Sequence, residues 1–350
     1  MLNGNILQIN LNNIKHNVRY IVKHYDYEYY IGVVKANAYG HGYNKVINAM
    51  EESGINYFAV SSLNEALEVR KFTNKGILIL TPVFLNEIDE CIKNNFSVTI
   101  DDIEYLKKIK NTSNLKIHIK LNTGMNRFGV NDIHEINEII DYSTKNDIFV
   151  EGLYTHLYYA SNDNIVNSQI ETLTNIIESI DYKFKMIHVM NSEGLLTYPK
   201  IKYTNGIRIG DLLYGFTYNE NFKSTISLKT NIVKIRELKK GDTLGYDASY
   251  TADSDTRVAI VPIGYESGII KCNKGRTVYI NNKEYEIIGN ICMCCLFIKI
   301  DNTVTLDDEV YIIKDSKHVM DISKYISKYY ESAPSEITCI INKNITKEYL

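Results

Sequence analysis

A chain of 350 residues exceeds one ordinary domain, and its 45% apolar content is ample for a large core, so a barrel with an appendage or two domains is expected. The net charge of −3, with acids and bases interspersed, excludes the basic footprint of a nucleic-acid or anionic-membrane binder. The opening MLNGNILQINLNN is too polar for a secretory signal, no apolar run is long enough to span a bilayer, and six cysteines are too few for a disulfide framework; together these point to a cytoplasmic protein.

From residue 10 to about 220, short β-rich runs alternate with amphipathic helical patterns. The runs are Ile31 to Lys35, Tyr57 to Val60, Ile77 to Leu80, Phe96 to Ile100, Lys116 to Leu121, Phe149 to Thr155, Met186 to Met190 and Gly206 to Arg208. Between them, LNEALEVRKF, DDIEYLKKIK, NDIHEINEII and SQIETLTNIIESI space apolar residues three and four apart, with Asp or Asn near their starts. Eight such units predict an N-terminal (β/α)8 TIM-type barrel, assigned to residues 1–223, whose site lies at the strand C-termini. No GxGxxG follows the first strand, as a doubly wound dinucleotide fold requires. From residue 224 onward the pattern becomes closely spaced alternating runs, LKTNIVKIREL, RVAIVPIGY, RTVYINNKEYEIIG, LFIKID and EVYII, joined by tight turns at Asn281-Asn282 and Lys240-Gly241. A mainly antiparallel β domain is expected over 224–350.

In VVKANAYGHG, Lys35 follows two β-branched residues and precedes Asn37, Gly40 and Gly42, which break the strand. By position alone it is either a strand-end lysine in solvent or a desolvated amine suited to imine chemistry. Arg127, in KLNTGMNRFGV, is either a surface cation or a planar clamp for a carboxylate. His156 closes GLYTH and Ser192 opens a helix in MNSEG; a core histidine and a helix cap are the plain readings, while a serine and free amides at a helix start also suit a phosphate. Cys292, Cys294 and Cys295 have no second Cys or His cluster nearby, so they read as core thiols and no metal site is expected.

VVKANAYGHG closely resembles the pyridoxal-phosphate lysine motif of bacterial alanine racemases, and later segments match that family in the same order over nearly the whole chain. The resemblance implies a barrel followed by a β domain, and a pyridoxal 5′-phosphate-dependent isomerase that interconverts L- and D-alanine by two bases, supplying D-alanine for peptidoglycan. It further implies a homodimer with shared active sites acting on a small amino-acid substrate. By the same resemblance Lys35 carries the cofactor, and Tyr39, Ser192 and the amides near Gly210 and Asp211 hold its phosphate. Arg208, in GIRIGDLLYG, would face the pyridine nitrogen. A guanidinium does not release a proton to that nitrogen, so the ring stays a weak electron sink, which favours return of the proton to Cα over transamination. Arg127 would meet the substrate carboxylate, oriented by Lys120, which is often carbamylated in the family. Tyr250, in GYDASYTA, would be the second base, supplied by the partner subunit and supported by His156. Tyr265, in IGYESG, would line the substrate channel, and Met293, in GNICM, would meet the carboxylate.

The chain departs from the family pattern at several points. Asp211 stands where an apolar residue is usual, Lys271 and Asn290 where arginine is usual, and Cys294 where aspartate follows the methionine. The stretch EITCIINKNIT lacks the tyrosine that commonly binds phosphate in the family. These departures bear on the side-chain preference, and a serine or broader-specificity racemase is the alternative. A barrel-type decarboxylase would be expected to place an acid at the pyridine nitrogen, and a non-catalytic carrier of the cofactor normally lacks the β domain that contributes Tyr250.

Overall fold

The structure is a computed structural model that describes residues 4–350. It divides into two compact units, one comprising Val18–Ala38 and Tyr43–Leu213, the other the N-terminal segment to Asn17, the short run Tyr39–Gly42, and Tyr214–Leu350. The first strand, β1 (Ile6–Ile9), belongs to the second unit, where it pairs antiparallel with Ile226 to Lys229 and parallel with Thr346 to Tyr349.

The barrel unit closes eight parallel strands: β2 (Tyr29–Val33), β3 (Tyr57–Val60), β4 (Gly76–Ile79), β5 (Ser97–Ile100), β6 (Lys116–Lys120), β7 (Phe149–Tyr154), β8 (Met186–His188) and β9 (Gly206–Ile209), the last returning to pair with β2. Seven expected runs sit on these strands within a residue or two. The first is displaced toward the N-terminus by two residues: β2 runs Tyr29–Val33 where Ile31 to Lys35 is expected, so Lys35 already lies outside the ladder. Their apolar residues are buried because helices cover the outside and the lumen is filled by side chains. The helices begin where Asp, Asn or Ser side chains accept a first-turn amide: Asp102 from Tyr105 at 2.6 Å, Asp132 from Glu135 at 3.0 Å and Asn162 from Ile165 at 3.2 Å.

The second unit carries a nine-stranded sheet that is antiparallel apart from the β1 pairing with Thr346–Tyr349, plus a two-stranded ribbon of Thr243–Leu244 and Tyr250–Thr251. Asn281 and Asn282 join Thr277–Ile280 to Lys283–Ile288 with φ of 50° and 63°, the left-handed pair that a two-residue hairpin of matching twist needs. Among the described residues no helix is long and apolar enough to cross a membrane.

Candidate active site

In a closed parallel barrel every strand ends on the same rim, and the candidate residues of this unit lie there. Lys35 follows β2, Lys120 ends β6, Arg127 stands in the loop after it, His156 follows β7, Ser192 follows β8, and Arg208 and Gly210 close β9. The lysine's place is fixed by an unusual backbone. Ala36, Asn37, Ala38 and Tyr39 have φ of 53°, 58°, 53° and 53°, a left-handed turn costing on the order of 1 kcal/mol per residue. It is held by Ala38 N donating to Val34 O (2.9 Å), Ala36 N to Glu65 Oε1 (2.6 Å) and Asn37 N to the Tyr43 hydroxyl (3.2 Å). The turn sends the chain out of the strand directly after Lys35, leaving its side chain exposed at the rim.

The loop bearing Arg127 is tied at its base. Asn122 N donates to Val130 O (2.9 Å) and Val130 N to Lys120 O (2.8 Å), while Asn122 Oδ1 accepts from Asn126 N (2.9 Å). A Cβ on Gly129 would sit 2.5 Å from Asn122 N, so only glycine lets the two loop ends approach this closely. The guanidinium of Arg127 is exposed and has no hydrogen-bond partner among the described residues.

Arg208 is buried and heavily bonded. Its Nη1 donates to His188 Nδ1 and His188 O, both at 2.8 Å; its Nη2 donates to Thr155 O at 2.6 Å, with Val189 O at 3.3 Å and His156 Nδ1 at 3.4 Å. None of these bonds among the described residues uses Nε. Tyr154 lies beneath, its ring centre 5.1 Å from the guanidinium carbon. Burial pulls the Arg208 pKa down to about 10, which still leaves a cation at neutral pH.

Lys120 is buried between Phe128 and Tyr154, with Nζ 5.2 Å and 5.7 Å from the ring centres. Burial first, and then the charges of Arg127 and Arg208, bring its pKa down to about 8. His156 is pushed down to about 3 by burial and by the field of Arg208, Arg127, Lys120 and Lys35, so it is neutral. The rim therefore gathers four basic side chains around an uncharged imidazole, an arrangement suited to an anion-rich ligand.

Ser192 is not the helix cap. Asn191 takes that role, accepting from Gly194 N at 2.8 Å, and the Ser192 hydroxyl instead accepts from Gly210 N (3.1 Å) and Leu212 N (3.4 Å). Asp211 is exposed.

The remaining expected residues lie in the other unit. Tyr39 is buried and stacks on Tyr214 with centroids 4.6 Å apart. Tyr265 and Met293 are brought together by two backbone bonds, Tyr265 N to Cys292 O and Glu266 N to Met293 O, both 3.1 Å. Gly264 allows this approach, since a Cβ there would lie 2.3 Å from Cys292 O. Tyr250 is half-buried opposite Leu244 and packs, with Cys292 and Cys295, on a core cluster that includes Val258 and Phe297. The core reading of the thiols fails at Cys294, which is exposed because its segment turns outward at the tip. Lys271 Nζ lies 5.8 Å from the centre of the Tyr265 ring.

Several polar residues of these units carry no motif. His188, His118 and Glu151 fill the barrel lumen below Arg208, and the strand KIHIK signals part of this, since its charged and polar residues recur every second position. A C-terminal tyrosine is also present beyond EITCIINKNIT: Tyr349 donates its hydroxyl to His41 O at 3.3 Å, beside the YGHG segment.

The family model described as "Alanine racemase, N-terminal domain" matches residues 9–218, and "Alanine racemase, C-terminal domain" matches residues 225–349. The chain is 32% identical to alanine racemase of Streptococcus uberis over 332 residues, covering 91% of this chain and 90% of the relative. It is 31% identical to that of Listeria monocytogenes over 333 residues, with 91% and 90% covered. Similar solved structures include alanine racemase from E. faecalis (TM-score 0.93, 25% identity, 99% of this chain and 98% of that one) and from Bacillus anthracis with bound L-Ala-P (TM-score 0.91, 25% identity, 100% and 96%). With both halves matched and relatives above 30% identity across nine-tenths of its length, this chain belongs to the alanine racemase family.

Proposed function

We propose that the interconversion of L- and D-alanine, which family membership assigns to this chain, is carried out with pyridoxal 5′-phosphate held by Lys35, in a homodimer where Tyr250 of one subunit completes the site of the other. The observation that carries this reading is the rim of the barrel: Lys35, Lys120, Arg127 and Arg208 surround a neutral His156, with the Ser192 hydroxyl and the Gly210 amide alongside. This donor set fits a phosphate-bearing cofactor and an amino acid's carboxylate. When bound, the cofactor supplies an electron-withdrawing ring that acidifies the proton on the substrate Cα.

The chain's own residues then divide the work. Lys35 Nζ takes or returns the Cα proton on one face, and the Tyr250 oxygen does so on the other, as racemisation requires. Arg208, whose other bonds leave Nε–H over, would offer that donor to the ring nitrogen of the cofactor and, as a guanidinium, would keep its proton. His156 accepts from Arg208 through Nδ1, so its Nε2 carries hydrogen and is the donor it can offer to the Tyr250 oxygen. Arg127 binds the substrate carboxylate. Lys120, with a pKa near 8, is partly neutral at physiological pH, the form that reacts with carbon dioxide to give a carbamate anion beside Arg127. The Ser192 hydroxyl, the amides near Gly210 and Asp211, and Tyr39 would hold the phosphate, while Tyr265 and Met293 would border the substrate. Production of D-alanine for peptidoglycan follows from this activity.

Complementation tests the shared site. Lys35→Ala and Tyr250→Phe proteins should each be inactive by a hundredfold or more, on the order expected for a lost acid or base. Random reassortment leaves about a quarter of the sites intact in a dimer whose sites draw on both chains, so mixing should restore activity toward that fraction. No recovery after verified subunit exchange would reject the shared site, and full activity of either variant alone would reject that residue's role.

A further inference from the structure

Below the rim, the barrel lumen holds an unbroken chain of polar side chains. Arg208 Nη1 meets His188 Nδ1 at 2.8 Å, His188 Nε2 meets His118 Nδ1 at 3.0 Å, and His118 Nε2 meets Glu151 Oε2 at 3.3 Å. The same carboxylate oxygen accepts from the Tyr57 hydroxyl (2.8 Å) and the Ser97 hydroxyl (2.6 Å), and Oε1 accepts from Lys185 Nζ (2.8 Å), the one member that reaches solvent. His118, His188, Arg208 and Glu151 are all buried.

The direction of each bond follows from the ends. Guanidinium is only a donor, so His188 Nδ1 must be an acceptor and its hydrogen must sit on Nε2. That hydrogen requires an acceptor at His118 Nδ1, so the His118 hydrogen also sits on Nε2 and is given to Glu151, an acceptor when ionised. One arrangement of hydrogens satisfies the chain. A proton added to either ring would set two donors against each other, and burial accordingly holds both imidazoles below their usual titration range. The rings are also given purpose-made space. A Cβ on Gly152 would lie 2.4 Å from His118 Nδ1, and one on Gly76 would lie 2.2 Å from the Tyr57 ring, so glycines inside two strands admit them.

We propose that Glu151 and His118 are positioning residues for Arg208: they fix the Nε2–H tautomer of His188, which holds Nη1 in place and leaves Nε–H as the donor for the pyridine nitrogen. Among the described residues no carboxylate touches Arg208; the chain ends two rings away on Glu151, whose other oxygen accepts from Lys185. The inference rests on the pyridoxal phosphate reading above, and it extends that reading to residues that touch neither cofactor nor substrate.

Two measurements test it. Neutron diffraction from crystals of the deuterated holoenzyme should show deuterium on Nε2 and none on Nδ1 of both His188 and His118; deuterium on either Nδ1 overturns the proposal. Equilibrium binding to cofactor-free, full-length protein should then compare pyridoxal phosphate with its analogue carrying CH in place of the ring nitrogen. His118→Phe, which breaks the chain, should weaken pyridoxal phosphate by about tenfold and the carbon analogue by less than about twofold, a change the size of one hydrogen bond. His118→Gln, which offers an amide oxygen and an amide N–H to the same two neighbours, should recover most of the loss. Equal weakening of both ligands would mean a merely structural role, and no weakening would mean that Arg208 is held without the chain; either result overturns the proposal. Wild-type protein that fails to bind pyridoxal phosphate would instead reject the cofactor reading itself.

Discussion

Replacing Gly152 by alanine should destabilise the barrel far more than one methyl group on a strand ordinarily does. The added Cβ would meet His118 Nδ1 at 2.4 Å, His118 Cε1 at 2.6 Å and Met186 O at 2.9 Å, where ordinary contacts lie beyond 3.4 Å. The imidazole must retreat by about 1 Å, and with bonds of 3.0 Å to His188 and 3.3 Å to Glu151 it cannot do so without breaking one of them. Overpacking costs about 1–3 kcal/mol and an orphaned buried polar group about 1–3 kcal/mol, so a loss of about 2–6 kcal/mol is expected. The assay is the urea unfolding midpoint of the cofactor-free protein, with Gly4→Ala as control, since nothing lies within 4 Å of a Cβ at that position. In a His118→Ala background the added methyl meets chiefly Met186 O, so the two substitutions should be strongly non-additive. A Gly152→Ala loss below about 0.5 kcal/mol, or full additivity with His118→Ala, would refute the packing argument.

Lys120, with its pKa near 8, should take up labelled carbon dioxide as a carbamate, visible by 13C NMR, and the signal should grow from pH 6 to 9 as the neutral amine forms; Lys120→Arg should abolish it. The sign for stability is fixed by the same shift: the folded state disfavours the ammonium, so this residue opposes folding below pH 8, and the penalty is relieved as pH rises toward the ordinary lysine range. Arg208→Glu would set a carboxylate against Thr155 O and His188 O and require a proton on His188 Nδ1. It should slow racemisation and raise the share of turnovers that yield pyruvate, measured with coupled lactate dehydrogenase; normal racemisation without pyruvate would refute the assigned role. His156 should remain neutral between pH 5 and 9, so its ring resonances should not titrate over that range in NMR spectra of the protein.

The barrel was legible because parallel strands buried on both faces read as short β-branched runs, and because helix starts are written in Asp, Asn and Ser. The position of Lys35 was legible as well, yet the end of its strand was not: the four left-handed residues after it include two alanines and a tyrosine, which carry no local preference for that conformation. Tertiary bonds from Glu65 and Tyr43 impose it. Ser192 shows the same limit. Two adjacent residues, Asn191 and Ser192, both suit a cap, and only the fold shows that the first caps while the second turns to the Gly210 amide. Tyr349, one tyrosine among 28, carries no signal in the sequence until strand pairing along β1 brings it beside His41.

The lumen bears most directly on function. A barrel interior is ordinarily layered with Val, Ile and Leu, and replacing buried ionic networks by apolar residues is frequently neutral or stabilising. Here Glu151, His118, His188 and Arg208 occupy those layers, joined by Tyr57 and Ser97, so this barrel forgoes the simpler packing. A partly satisfied network would be worse than either alternative, which is why every link counts: removing one donor leaves a buried acceptor, and removing Glu151 leaves an imidazole N–H without its anion. Such a chain has only one satisfied hydrogen arrangement, whereas an apolar layer would leave Nη1 of Arg208 with the His188 carbonyl alone. The gain is orientation at the rim: three carbonyl oxygens and two ring nitrogens take up Nη1 and Nη2, and the N–H that remains on Nε is the one available to a ligand.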